Sequence, residues 1–272
     1  MTTMTFHTPE HLLTQTVRIQ VAGAGGTGSH FLDALASLDS TLRTLGHPGF
    51  EVSVYDPDRV SRSSVGRQRY TDADIGVPKA TVLCHRLNLF YCVNYIAHAR
   101  RLDPREVNAD LLITCTDSAL FRAAVGKRFE KTASRALWCD TGNDSHGGVV
   151  VLGHLGKLLE GDDSGLRLPN VWNLYPELAS MRKADEEEPS CSVEQSITRQ
   201  EWPVNRLVAS MAANLLWNLF RKGKIDHQGC RVDTHTLSAT PMPIDPMMWE
   251  MYGLVQPSKK KVRPASLLRK VA

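Results

Sequence analysis

Val17, Ile19 and Val21 alternate with Arg18 and Gln20 in a run that stops at a cluster of glycines, Gly23-Ala24-Gly25-Gly26-Thr27-Gly28-Ser29. Alternation is the period of a half-buried strand, so Val17 to Ala22 is predicted as the first strand. Beyond the glycines, Phe31, Leu32, Leu35, Leu38 and Leu42 recur at helical spacing, and Gly46-His47-Pro48-Gly49 breaks the pattern. Glu51 to Tyr55 alternates again and stops at Asp56-Pro57-Asp58, followed by a Ser- and Arg-rich loop from Arg59 to Arg69. Pro78 can open a helix carrying Val82, Leu83, Leu87 and Leu89. Tyr95 to Ala99 is a candidate third strand. Leu111 to Thr116 is apolar enough for a strand buried on both faces, and it ends at Asp117. A helix over roughly 119–131, a strand at 136–140 and a further apolar run at 148–153 follow.

Residues from about 157 to 200 lose this periodicity. They include Asp185-Glu186-Glu187-Glu188-Pro189-Ser190-Cys191 and predict a long crossover loop, a length that compact domains use mainly for function. Pro203 then begins a helix with Leu207, Met211, Leu215, Leu216 and Leu219, and Cys230 to His235 suggests a last strand. Strands alternating with helices predict an α/β fold: a Rossmann-like, mostly parallel sheet with flanking helices. Ligands of such sheets bind beyond the carboxyl ends of the strands. Gly23 to Gly28, Asp56 and Asp117 all fall at such ends.

The composition of the 272 residues, 42% hydrophobic and 22% charged, fits one large core, and the expected domain is 1–256. The basic tail 257–272, with Lys259-Lys260-Lys261, is expected to be flexible. A net charge of +3 points to no specific nucleic-acid partner. No run approaches the roughly 20 apolar residues of a membrane span, and no signal peptide is evident, so a cytoplasmic protein is expected. Cys84, Cys92, Cys115, Cys139, Cys191 and Cys230 form no CxxC pair. Cys84, Cys92, Cys115 and Cys139 are expected to be packing residues.

The chemistry comes from what gathers around the glycine turn. Glycine admits a sharp turn and close backbone approach to a ligand, and the start of the next helix attracts phosphate. That combination alone fits a redox dinucleotide as well as a triphosphate. An acidic residue ending the second strand, Asp56, suits a ribose hydroxyl pair, or is simply a turn residue before Pro57. Arg67 and Lys79 add two cations, which a triphosphate needs and a hydride-transfer enzyme does not. Asp117 can hold Mg²⁺ together with phosphate oxygens, or can cap the next helix, a role Ser118 can share.

The glycine turn, Asp56-Pro57-Asp58, Arg67-Gln68-Arg69, Pro78-Lys79 and Thr114-Cys115-Thr116-Asp117-Ser118, in this order over residues 17 to 155, resemble the ThiF/MoeB/ubiquitin-activating-enzyme superfamily. Pro189-Ser190-Cys191-Ser192-Val193-Glu194-Gln195-Ser196, Tyr175-Pro176-Glu177-Leu178 and Thr141-Gly142-Asn143-Asp144 resemble the ThiF-family proteins of bacterial PRTRC gene systems, found on plasmids and mobile elements. The resemblance implies ATP- and Mg²⁺-dependent adenylation of the C-terminal carboxylate of a ubiquitin-like protein by a homodimer. It implies that Asp56 binds ribose, Arg67 and Lys79 hold phosphates, and Asp117 coordinates Mg²⁺. Gly23, Gly25, Gly26, Gly28, Asp58, Ser64 and Gln68 complete the expected nucleotide-binding set. Cys191 lies where the superfamily carries cysteines that accept an activated acyl group. Ser64 stands where the superfamily usually has Asn, and Arg18, in the first strand, is poorly placed for the Arg that a partner subunit often supplies. A nucleotide-binding scaffold without turnover is the alternative.

Overall fold

The structure, a computed structural model, describes residues 3–157, 166–180, 202–251 and 253–254. In chain order the elements are β1 (Phe6–His7), α1 (Glu10–Thr14), β2 (Val17–Ala22), α2 (Gly26–Thr44), β3 (Phe50–Tyr55), α3 (Lys79–Tyr91), β4 (Ile96–His98), β5 (Leu111–Thr114), α4 (Ala119–Phe129), β6 (Leu137–Asn143), β7 (Gly147–His154), α5 (Val171–Leu174), α6 (Val204–Lys222), β8 (Lys224–Ile225), β9 (His227–Asp233), β10 (Ser238–Pro243) and α7 (Pro246–Glu250). An eight-stranded sheet runs β10-β9-β7-β6-β5-β2-β3-β4. It is parallel from β6 to β4 and antiparallel from β6 out to β10. This is the Rossmann-like α/β architecture expected from the sequence, extended by an antiparallel half. No helix among the described residues is long and apolar enough to cross a membrane.

The central strands show why the apolar runs read as they do. In β5 all four residues are buried. Leu111 and Ile113 join one core with Phe31, Leu35, Val208 and Leu216, while Leu112 joins a second core with Val125, Phe129, Trp138 and Val171. Helices thus cover both faces, and a strand covered on both faces needs no polar alternation. On one face α2 and α6 lie side by side. Each turns an apolar stripe inward: Phe31, Leu32, Leu35 and Leu42 from α2, and Val208, Ala212, Leu215 and Leu219 from α6.

The structure departs from the sequence reading at several points. The helix expected over roughly 119–131 ends at Phe129, where Thr132 N–H turns back to Phe129 C=O at 3.0 Å. Within the expected crossover loop, α5 forms behind Asn170, whose side chain accepts the Asn173 N–H. Four residues are too few to display a helical period. Cys92 is exposed rather than packed, because it ends α3 in the left-handed region at φ 54°. The tail 257–272 and most of the segment 157–200 lie outside the described residues, as does Cys191.

Candidate functional site

The glycine turn is clamped from both sides. Gly23 N–H donates to Tyr55 C=O of β3 at 2.8 Å, and Cys115 N–H donates to Ala22 C=O at 2.8 Å. Gly23 has φ +103°, and a Cβ there would stand 2.6 Å from Cys115 O. At Gly28 a Cβ would stand 2.2 Å from Gly23 O. These two glycines let β2, the turn and α2 close on themselves. Gly25, by contrast, has nothing within 4 Å of a built Cβ. It precedes the first turn of α2, which carries no acidic residue and no side-chain cap. The N–H groups at that end, and the positive end of the helix dipole, are therefore open to an anion.

Asp56 fixes this turn to the end of β3. Its Oδ2 accepts the Ala24 N–H at 2.6 Å and its Oδ1 accepts the Asp58 N–H at 2.8 Å. Burial pushes its carboxyl up from the usual carboxylate range, against the Ala24 amide, Lys79 and the Asp58 amide, which favour the charged form. Segments 58–60 and 76–79 zip together: Lys79 N–H donates to Asp58 C=O at 2.9 Å, and Val60 N–H donates to Val77 C=O at 2.9 Å. Lys79 begins α3, is nearly buried, and places Nζ 3.1 Å from Asp58 Oδ2. Tyr70 closes the ring by donating from its hydroxyl to Ala24 C=O at 2.7 Å. The sequence-predicted Gly23, Asp56, Asp58 and Lys79 thus form one connected cluster.

The remaining predicted residues join it less directly. Arg67 is partly buried, and burial draws its guanidinium pKa down. Its C=O receives His30 Nε2 of α2 at 3.2 Å. Gln68 is partly buried, with Oε1 enclosed and lacking a hydrogen-bond partner among the described residues. Ser64 is buried, and its hydroxyl accepts the Ser61 N–H at 3.3 Å, so it closes a local turn. Gly26 lies against Asn205, whose Oδ1 would be 2.6 Å from a Cβ there. Ser118, not Asp117, caps α4, accepting the Phe121 N–H at 3.2 Å. Asp117 is exposed at the carboxyl end of β5, and among the described residues its one hydrogen bond is a long one, 3.5 Å, from Thr116 Oγ1.

Two polar networks at the carboxyl ends of the strands escape sequence reading. Asn143 Nδ2 donates to Thr27 Oγ1 at 2.7 Å and to Asn205 Oδ1 at 2.8 Å, tying β6, α2 and α6 together. Arg122 Nε donates to Asp140 Oδ1 at 2.7 Å, and Asp140 also accepts the Thr114 hydroxyl. This buried pair locks the first turns of α4, and hence the 114–118 corner, onto β6. Neither has a local signal, because the partners are far apart in the chain.

A doubly wound sheet whose glycine turn, uncapped helix start and flanking Lys–Asp pair meet at the strand ends has the architecture of the Rossmann-like, nucleotide-binding class of α/β folds. Residues 4–249 match the ThiF family, and the chain belongs to it. No curated protein sequence matches the chain. Among solved structures it is similar to PaaA (TM-score 0.54, 15% identity, 86% of this chain and 66% of that one). It is also similar to Escherichia coli MccB with ATP (0.53, 14%, 86% and 65%). The microcin C7 biosynthetic enzyme MccB in complex with N-formylated MccA is a further neighbour (0.56, 15%, 86% and 66%). The chain spans just under two thirds of the length of these neighbours, and at such identities the likeness is one of fold.

Among the described cysteines Cys84 and Cys139 are buried, Cys115 and Cys230 half-buried and Cys92 exposed. Burial pushes the Cys84 thiol up to about 12 and Cys139 well above its usual value, and the thiolate is the reactive form. In native protein exposed Cys92 is expected to label readily with a thiol reagent, and Cys84 and Cys139 only after unfolding. Peptide mapping by mass spectrometry reads this directly, and fast native labelling of Cys139 would contradict the burial described.

Proposed function

We propose that this protein is an ATP-dependent adenylyltransferase acting on the C-terminal carboxylate of a ubiquitin-like small protein or peptide. The observation that carries the reading is the side-chain-free start of α2 under the glycine turn, flanked by Lys79 with Asp58 and by the exposed Asp117. Backbone amides there suit the polyphosphate, Lys79 and Arg67 balance its charge, and Asp56 suits the ribose. The acyl carboxylate is already ionised and needs no general base. Its oxygen attacks the α-phosphorus, the bond to the β-phosphate oxygen breaks, and an acyl-adenylate and pyrophosphate leave. Catalysis is positioning and charge stabilisation.

The donor set fits Mg²⁺. Among the described residues no group of three His, Cys, Asp or Glu side chains gathers into a metal cage. One exposed carboxylate plus phosphate oxygens is the kind of shell Mg²⁺ accepts. Asp117 would hold it, and the ion, when bound, supplies charge neutralisation at the phosphates. The same proposal includes a homodimer, a cytoplasmic setting, membership of a bacterial plasmid-borne PRTRC system, and transfer of the acyl group to Cys191.

The MccB neighbours described with ATP and with N-formylated MccA support a nucleotide and a peptide as the two substrates. The commitment of the Ser64 hydroxyl to Ser61 favours the second reading, a nucleotide-binding scaffold without turnover. ATP–pyrophosphate exchange with candidate ubiquitin-like proteins separates the two. Exchange that depends on the partner's free C-terminal carboxylate is expected. Tight ATP binding with no exchange for any partner would favour the scaffold. Mass spectrometry of the same mixtures reports an adenylate on the partner and a thioester on Cys191 that Cys191→Ala abolishes.

A further inference from the structure

On the far side of the Arg67 segment lies a cleft of about 530 Å³ between α2, α3 and α6, which shares Gln68, Tyr70 and His30 with the residues described above. That volume is within the range of small-molecule sites. Three guanidinium groups line it from three different elements: Arg69 from the loop, Arg86 from α3 and Arg206 from α6. Two are held by carboxylates. Arg69 lies 3.1 Å from Asp33 of α2, and Arg86 lies 2.9 Å from Asp74 while also donating to Arg69 C=O at 2.7 Å. Arg206 has no carboxylate within ion-pair distance among the described residues. It lies over the Trp202 ring, 4.1 Å from its centroid, so the described residues give the cleft an excess of positive charge.

We infer that this cleft is a second anion site, taking a phosphate-bearing small molecule on Arg206, Arg69 and Arg86. The planar forks of arginine match phosphate oxygens, and those of Arg69 and Arg86 are already held in place by their carboxylates. Ser210, one turn beyond Arg206 on α6, adds a hydroxyl at the wall. Through the wall, His30 Nε2 meets Arg67 C=O at 3.2 Å. An occupant of the cleft therefore touches the α2 face that carries His30 and the 68–71 segment that directly follows Arg67. Two sources share this chemistry, the pyrophosphate that the proposed reaction releases and a nucleoside monophosphate. The site itself does not depend on the adenylation reading.

Calorimetric titration of the full chain with pyrophosphate and with AMP, each with and without one equivalent of AMPCPP to block the glycine crevice, tests this. Pyrophosphate or AMP is expected to bind with the crevice blocked. That affinity should fall about tenfold or more in Arg206→Gln and in Ser210→Glu, and stay unchanged in Lys79→Ala. Arg206 and Ser210 are both exposed on α6, so neither change disturbs the core. The tighter of the two ligands names the source. Absence of binding by both ligands with the crevice blocked would overturn the inference, as would an affinity that neither variant moves. Failure of AMPCPP to bind wild-type protein would instead sink the adenylation reading. Pyrophosphate binding sensitive to Arg206→Gln but not to Lys79→Ala would then still support the cleft.

Discussion

ATP–pyrophosphate exchange is expected to fall about 10²–10³-fold in Asp117→Asn, with no measurable loss of thermal stability. The two halves of that expectation come from the same geometry. Asp117 is exposed, caps nothing, and has one long hydrogen bond to its neighbour Thr116, so the fold loses little when its charge is removed. In the proposed reaction the same carboxylate is the protein's contribution to the metal shell, and an amide binds Mg²⁺ far less well. Raising Mg²⁺ should recover part of the rate in this variant and none of it in Lys79→Ala. Lys79→Ala should lose exchange to a similar degree, because Lys79 is the nearly buried cation at the start of α3. It should also lower the melting temperature, since Asp58 loses its ion-pair partner. Exchange in Asp117→Asn within about twofold of wild type would remove the metal assignment, whatever its stability.

Gly28→Ala is expected to cost more than about 3 kcal/mol of stability, and Gly25→Ala less than about 1 kcal/mol. A methyl group on Gly28 meets the Gly23 carbonyl at 2.2 Å and Cys115 Cβ at 3.2 Å. The carbonyl is backbone, clamped between β3 and β5, and cannot rotate away as a side-chain tip could. Gly25 has open space around it. Its role shows only with ligand present: a methyl group there stands where phosphate oxygens must approach the amides. ATP affinity should therefore fall about tenfold or more in Gly25→Ala while its thermal melt stays close to wild type. Paired melting and nucleotide titration separates the glycine needed for folding from the glycine needed for binding. A Gly25→Ala protein that binds ATP normally would move the phosphates away from this turn.

The elements legible in the sequence are those that bury a face by short-range pattern. β2 matches its expected bounds, β3, β5 and β7 fall within one or two residues of theirs, and β6 runs three residues past its expected end. β10 was invisible for a physical reason. It pairs only with β9, its residues are nearly all exposed, and it contains Pro241 and Pro243, features of an edge strand without a buried face to pattern. β1 and β8 are two residues each. In the candidate site, Gly23, Asp56 and Lys79 were legible because a strand end or helix start marks them. Asn205, Asn143 and Arg122 were not, since their hydrogen-bond partners are chosen by tertiary packing and leave no trace in the neighbouring residues.

The Thr27–Asn143–Asn205 knot also sets the order in which the protein can be completed during synthesis. Thr27 leaves the ribosome early, but its partner Asn205 lies 178 residues later. β1 is likewise held by β8, and Met4 N–H by Ile244 C=O at 2.8 Å. Loop-closure entropy opposes such distant contacts until both ends exist. The parallel β2–β3–β5 core can form on the nascent chain, whereas the start of α2 waits for α6. A half-made chain therefore exposes an unfastened glycine turn, and premature termination before residue 205 leaves a product without a finished crevice.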